Sequence, residues 1–145
     1  MENNKYYNSK IYKLVSDNTD KIYIGSTLKD LSIRKALHKK KYGQFKKNKY
    51  HYVSSYELMK LGEIDIILIE NVKCENKEEL YTRERYYIEL NKELCVNKNI
   101  PIRTKEEKLE QFNCECGGKF IFRSKSIHLK GKKHLKFIND TLNQV

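Results

Sequence analysis

Four side chains near the C-terminus have the chemistry and spacing of a soft-metal site. Cys114 and Cys116 are separated by one residue, eleven residues lead to His128, and five more to His134. Two thiolates and two imidazoles complete the tetrahedron that zinc takes in a closed structural site. A second set of reactive side chains is scattered through the first hundred residues. Tyr12 and Tyr23 lie in near-copies of one another, Lys10-Ile11-Tyr12 and Tyr23-Ile24-Gly25, on either side of the turn formers Ser16-Asp17-Asn18-Thr19-Asp20. With Asp17-Asn18 as a two-residue hairpin loop, Tyr12 stands opposite Tyr23 on one face of a sheet. Taken alone, such a pair reads first as an aromatic support for the hairpin. Arg34 and His38 are four residues apart and share one helical face. Glu84 interrupts the apolar stripe Leu80, Tyr81, Tyr87, Ile88. A carboxylate on the buried side of a helix needs a cation or donors, either as a salt bridge or as a metal ligand facing a cleft.

The elements that must position these groups are legible from pattern. Strands are expected at 10–16 and 21–27, with Gly25 near Lys10. A helix follows over 28–42, capped by Thr27 or Asp30 and ended by Gly43. Residues 43–53 read as a basic, aromatic-rich loop and 54–61 as a short helix. Residues 64–70, Ile-Asp-Ile-Ile-Leu-Ile-Glu, form the clearest strand and by their apolar run a central one. A helix over 76–91 opens on a capping-box-like Asn76 and Glu79. Residues 100–111 are a linker whose polar run from Thr104 can form a short helix. The expected organisation is a domain over 1–99, a linker over 100–111 and a metal-binding module over 112–145, with Phe120, Phe122, Ile127 and Leu135 as its small core and a basic helix from Lys125 to Phe137.

The chain has 145 residues, a formal charge of +11 and 39% hydrophobic residues. That charge favours a polyanionic partner. From Arg34 to Lys60 the only acid is Glu57, against nine lysines and arginines, with tyrosine and phenylalanine interleaved as in surfaces that grip phosphate and stack on bases. The Lys, Asn, Ile and Tyr bias also fits an AT-rich coding genome. No apolar run reaches the ~20 residues of a membrane span and the N-terminus opens no apolar leader, so an intracellular protein without membrane contact is expected. Cys74 and Cys95 read as inert packing thiols.

Taken together and in order, Lys10-Ile11-Tyr12, the intact Tyr23-Ile24-Gly25, Arg34-x3-His38, Glu84 and Leu94-Cys95-Val96-Asn97 resemble the GIY-YIG endonuclease family, over about residues 9–99. Lys10 replaces the first glycine of that pattern and either crowds the strand or adds a cation beside the tyrosines. The resemblance implies an α/β (α+β) domain, a three-stranded antiparallel sheet flanked by helices, that hydrolyses phosphodiester bonds of DNA with one divalent ion, Mg2+ or Mn2+; RNA is the open alternative. In that frame Glu84 holds the ion and Arg34 contacts the phosphate. Tyr12 takes a proton from water under a field from Arg34, His38 or the metal. Tyr23 orients the water or Tyr12, and Asn97 is a supporting donor near the metal or the backbone. The C-terminal module resembles a Cys2His2 zinc finger, departing from it in the short cysteine spacing, the long histidine spacing and Lys125 at a usually apolar position. The bias and the finger together resemble proteins of large DNA viruses or mobile elements. The alternative reading is a nucleic-acid-binding zinc-finger protein whose nuclease centre is inactive. A third is an RNA- or protein-interaction module.

Overall fold

Turn formers at Asp17-Asn18 close a hairpin between β1, Ser9–Ser16, and β2, Thr19–Thr27, in a computed structural model that describes residues 4–143. Ser16 pairs with Thr19 as a two-residue loop requires, but the register then slips and Leu14 pairs with Tyr23. Tyr12 therefore faces Gly25, which corrects the expected Tyr12–Tyr23 pairing and the expected nearness of Gly25 to Lys10; Lys10 pairs with Thr27. The slip is an even number of residues, so both tyrosines stay on one face.

β3, Asp65–Val72, completes an antiparallel sheet in the order β2-β1-β3. It is an edge strand and not the central one expected from its apolar run. Ile67 and Leu68 stay 43% and 41% exposed; an unbroken apolar run does not distinguish a centre from an edge. A second register shift, between Ile11 and Tyr12, places Ile11 against Glu70 and Tyr12 against Leu68.

α1, Leu31–Lys46, starts after Asp30 and runs past the expected end at Gly43. It stops at Asn48, which takes a positive φ of 56°. The Lys49 N–H donates to Gln44 O and the Asn48 N–H to Phe45 O, both at 2.9 Å, the Schellman arrangement with asparagine in the glycine role. α2, Tyr56–Met59, is shorter than expected. α3, Lys77–Leu90, is capped by Asn76, whose side chain accepts the Glu79 N–H at 3.0 Å.

The sheet buries both faces. Ile11, Ile22 and Ile24 pack with Leu80 and Ile88 of α3 on one side. Tyr12 and Leu14 pack with Tyr56, Leu58 and Met59 on the other, where Tyr42 and Phe45 of α1 join them. The chain divides into two compact units, Met1–Ile102 and Arg103–Val145.

In the second unit the polar run forms α4, Lys105–Leu109, held by a capping box between Thr104 and Glu107. A short hairpin follows, β4, Gln111–Asn113, and β5, Lys119–Ile121. The expected basic helix is in fact two, α5, Lys125–Leu129, and α6, Lys132–Leu142, broken at Gly131. The expected apolar core is also corrected. Ile127 is 73% and Leu135 49% exposed, and Phe120 stacks instead on Phe112 at 5.9 Å. Among the described residues of this unit only Cys116 is buried. No helix among the described residues is long and apolar enough to cross a membrane.

Candidate active site and metal cluster

β2 lies at the edge of its sheet, so its outward amides need partners from elsewhere. The segment after α3 supplies them. Ile22 N–H donates to Leu94 O at 2.9 Å and Val96 N–H to Ile22 O at 2.8 Å. One step on, the Asn97 side chain replaces a strand: its Oδ1 accepts Ile24 N–H at 2.9 Å and its Nδ2 donates to Ile24 O at 2.7 Å. Of the two roles expected for Asn97, this is the backbone one. The next outward residue is Ser26, whose N–H and hydroxyl both donate to Glu84 of α3.

The strand edge opens at that point into a cleft of 490 Å³ lined by Tyr23, Gly25, Ser26, Arg34, Tyr81 and Glu84 among others. Burial pushes the Glu84 carboxyl above the usual range, against the Ser26 hydrogen bonds and the Arg34 charge. No lysine or arginine forms an ion pair with Glu84 among the described residues, which removes the salt-bridge explanation for its place in an apolar stripe. A lone carboxylate beside an open cleft could hold a hard cation that keeps most of its waters, as magnesium does.

Tyr12 and His38 are not among the cleft-lining residues and sit beneath the cleft. Tyr12 is 0% exposed. Its hydroxyl occupies the space left by the missing side chain of Gly25, where a Cβ would come within 2.6 Å. Arg34 Nε donates to Tyr12 Oη at 2.9 Å, and His38 Nε2 is 2.7 Å from the same oxygen. His38 Nδ1 lies 3.4 Å from Ser55 Oγ, and its ring meets the Tyr12 and Tyr23 rings edge-on at 5.8 and 5.7 Å. Burial raises both tyrosines; at Tyr12 Arg34 opposes it. Lys10 resolves differently from either expectation. Its Nζ points to Asp30 at 4.0 Å, and it is not among the cleft-lining residues.

Burial, then Arg34, then Lys41 depress His38 to about 3. At neutral pH it is uncharged, so Arg34 alone supplies the cationic field expected of the two. The depression also links to stability. Between about pH 3 and the unfolded value near 6.5 the unfolded chain binds the extra proton, so the contribution is full above about pH 6.5 and is lost as pH falls toward 3. Glu84, shifted upward, acts with the opposite sign at the pH values above its unfolded range. Thermal unfolding of His38→Asn against wild type should therefore show a difference that is largest near neutrality and shrinks from pH 6.5 to pH 4.

Sequence reading missed Ser26 and Ser55. Ser26 was signalled only by following a strand-edge glycine; Ser55 carried no local sign of its partner.

The four C-terminal Cys and His side chains lie close together. Cys114 Sγ lies 3.3 Å from His134 Nδ1 and Cys116 Sγ 3.4 Å from His128 Nε2, with all four atoms within 4.8 Å of one another. Neighbouring ligands of tetrahedral zinc, at bonds of about 2.0–2.3 Å, stand about 3.5 Å apart. Gly117 takes a positive φ of 76°, and a Cβ on Gly118 would meet the His128 ring at 2.6 Å. Six positions apart on one continuous helix, His128 and His134 would point to different sides. The break at Gly131 turns them together, with ring centroids 5.2 Å apart. This cluster could bind zinc.

Comparison with curated proteins and with solved structures finds no match. A scan against family models finds the GIY-YIG catalytic domain over residues 8–99, the span that holds both tyrosines, Arg34, His38, Glu84 and Asn97. The chain belongs to the GIY-YIG family, and its first unit is by that membership a nuclease domain acting on nucleic acid.

Proposed function

We propose that the protein is a DNA endonuclease that uses a divalent ion, magnesium or manganese, on Glu84, and carries a structural zinc on Cys114, Cys116, His128 and His134. The observation that carries the reading is the chain Arg34–Tyr12–His38, linked at 2.9 and 2.7 Å beside a buried carboxylate without an ion pair. When bound, the divalent ion neutralises charge on the phosphate and the leaving oxygen.

The protein's own residues account for the proton and the phosphate. Arg34 covers Tyr12 in the free protein. Its guanidinium is suited to fork onto a phosphate oxygen and to stabilise the pentacovalent state. Turning toward the phosphate uncovers Tyr12 Oη to the attacking water. It also moves a positive charge away from His38, which raises the basicity of the imidazole. Tyr12 then accepts a proton from water while passing its own O–H proton to His38 Nε2, and the imidazolium so formed keeps its Nδ1–H, which donates a hydrogen bond to Ser55 Oγ. No free phenolate is needed, which suits a tyrosine whose burial disfavours one. Tyr23, on the cleft wall, orients the water, and Asn97 fixes the strand edge on which Glu84 docks.

Wild-type protein should nick supercoiled plasmid in magnesium. Tyr12→Phe should lower that rate about 10²- to 10⁴-fold, the range for a positioned general base, with little change in DNA affinity. A rate within threefold of wild type would remove Tyr12 from the proton path. Cleavage of RNA but not DNA would change the substrate class.

A further inference from the structure

Of α1, only Arg34 lines the cleft, and the far end of the helix lies beyond it. Lys41 follows Arg34 by seven residues. That is two turns along the same helical face and about 10 Å away. Its Nζ lies over the Tyr50 ring at 5.2 Å, and His51 stacks on Tyr50 with ring centroids 4.2 Å apart and planes 28° from parallel. His51 is exposed. Lys46, Lys47 and Lys49 lie alongside, and none of these lysines, nor Lys40 and Lys41, makes an ion pair among the described residues. The one acid of the region, Glu57, is already engaged by Tyr52, Lys60 and Lys98. The Schellman turn at Asn48 sets the loop that carries the stack.

A solvated basic face would not need its aromatics stacked and outward. Duplex DNA would use the lysines but presents no base face to a flat ring. We propose that the Lys41–Tyr50–His51 stack, with Lys46, Lys47 and Lys49, binds a single-stranded segment of the substrate flanking the cut. The bases stack on His51 and the phosphates meet the lysines. The distance to the cut rests on the reading of Arg34 as the phosphate contact. At about 10 Å it is roughly three base steps at 3.4 Å each.

Binding in EDTA separates this site from catalysis. Fluorescence anisotropy of the full chain with a labelled single-stranded 20-mer should show about tenfold weaker binding for Tyr50→Ala/His51→Ala, with duplex affinity unchanged. Lys47→Ser/Lys49→Ser should keep the fold and lower the salt slope on the single strand by about 1.4, at about 0.7 per phosphate contact. Unchanged single-strand binding in the aromatic variant, or an equal loss on duplex, would overturn the proposal. Because these measurements involve no cleavage, a failure of the nuclease reading would show separately, as wild-type protein that binds DNA and does not nick it.

Discussion

Cys114→Ser should unfold the second unit and leave the first intact. The reason is the missing core: among the described residues of Arg103–Val145 only Cys116 is buried, and Ile127, Leu135 and Leu142 are exposed. With the zinc proposed above, a segment of this size without a core would depend on the metal, since structural zinc contributes on the order of 10–16 kcal/mol in finger peptides. Replacing one thiolate removes a ligand from the tetrahedron and with it most of that stabilisation. Wild-type protein is expected to contain one zinc per chain and the variant none. Limited proteolysis of the variant should then leave a resistant fragment ending near residue 102. A variant that stays protease-resistant through α6 without bound metal would show that the cluster is not what holds this unit together.

Much of this was legible in the chain because the reactive residues carry their own signatures. The Cys/His spacing announced its cluster without any knowledge of the fold, and Glu84 stood out as a charge in an apolar stripe. What escaped was set by long-range geometry. The register slip between Leu14 and Ser16 placed Gly25, and not Tyr23, across from Tyr12. No local pattern marks a slip of that kind. That one change explains why Gly25 has no side chain and why Tyr12 lies under the cleft. Ser26 and Asn97 acquire their roles from the exposed edge of β2, which is an edge only because β3 joins the sheet on the far side of β1. The broken helix of the second unit was more accessible. A glycine between two histidines too far apart for one helical face was a usable signal.

In the proposed mechanism the largest single effect is assigned to Glu84. It is buried, its carboxyl is raised by that burial, its hydrogen bonds come from Ser26, and no cation pairs with it among the described residues. A structural role alone would leave the removal of its charge neutral or even favourable to stability. A metal-holding role makes the same change ruinous to the reaction, because a cation at a phosphoryl oxygen contributes several kcal/mol, about three orders of magnitude in rate. Glu84→Ala also deletes the acceptor for the Ser26 amide, so Glu84→Gln, which keeps a carbonyl oxygen there, controls for damage to the strand edge. The most direct measurement is conversion of supercoiled plasmid to the open circle by wild type, Glu84→Gln and Glu84→Ala in magnesium, with unfolding midpoints measured alongside. Wild type should nick and EDTA should abolish it, both variants should lose about 10³-fold or more, and Glu84→Gln should do so at near-wild-type stability. Nicking by Glu84→Gln at the wild-type rate would contradict the metal-holding role.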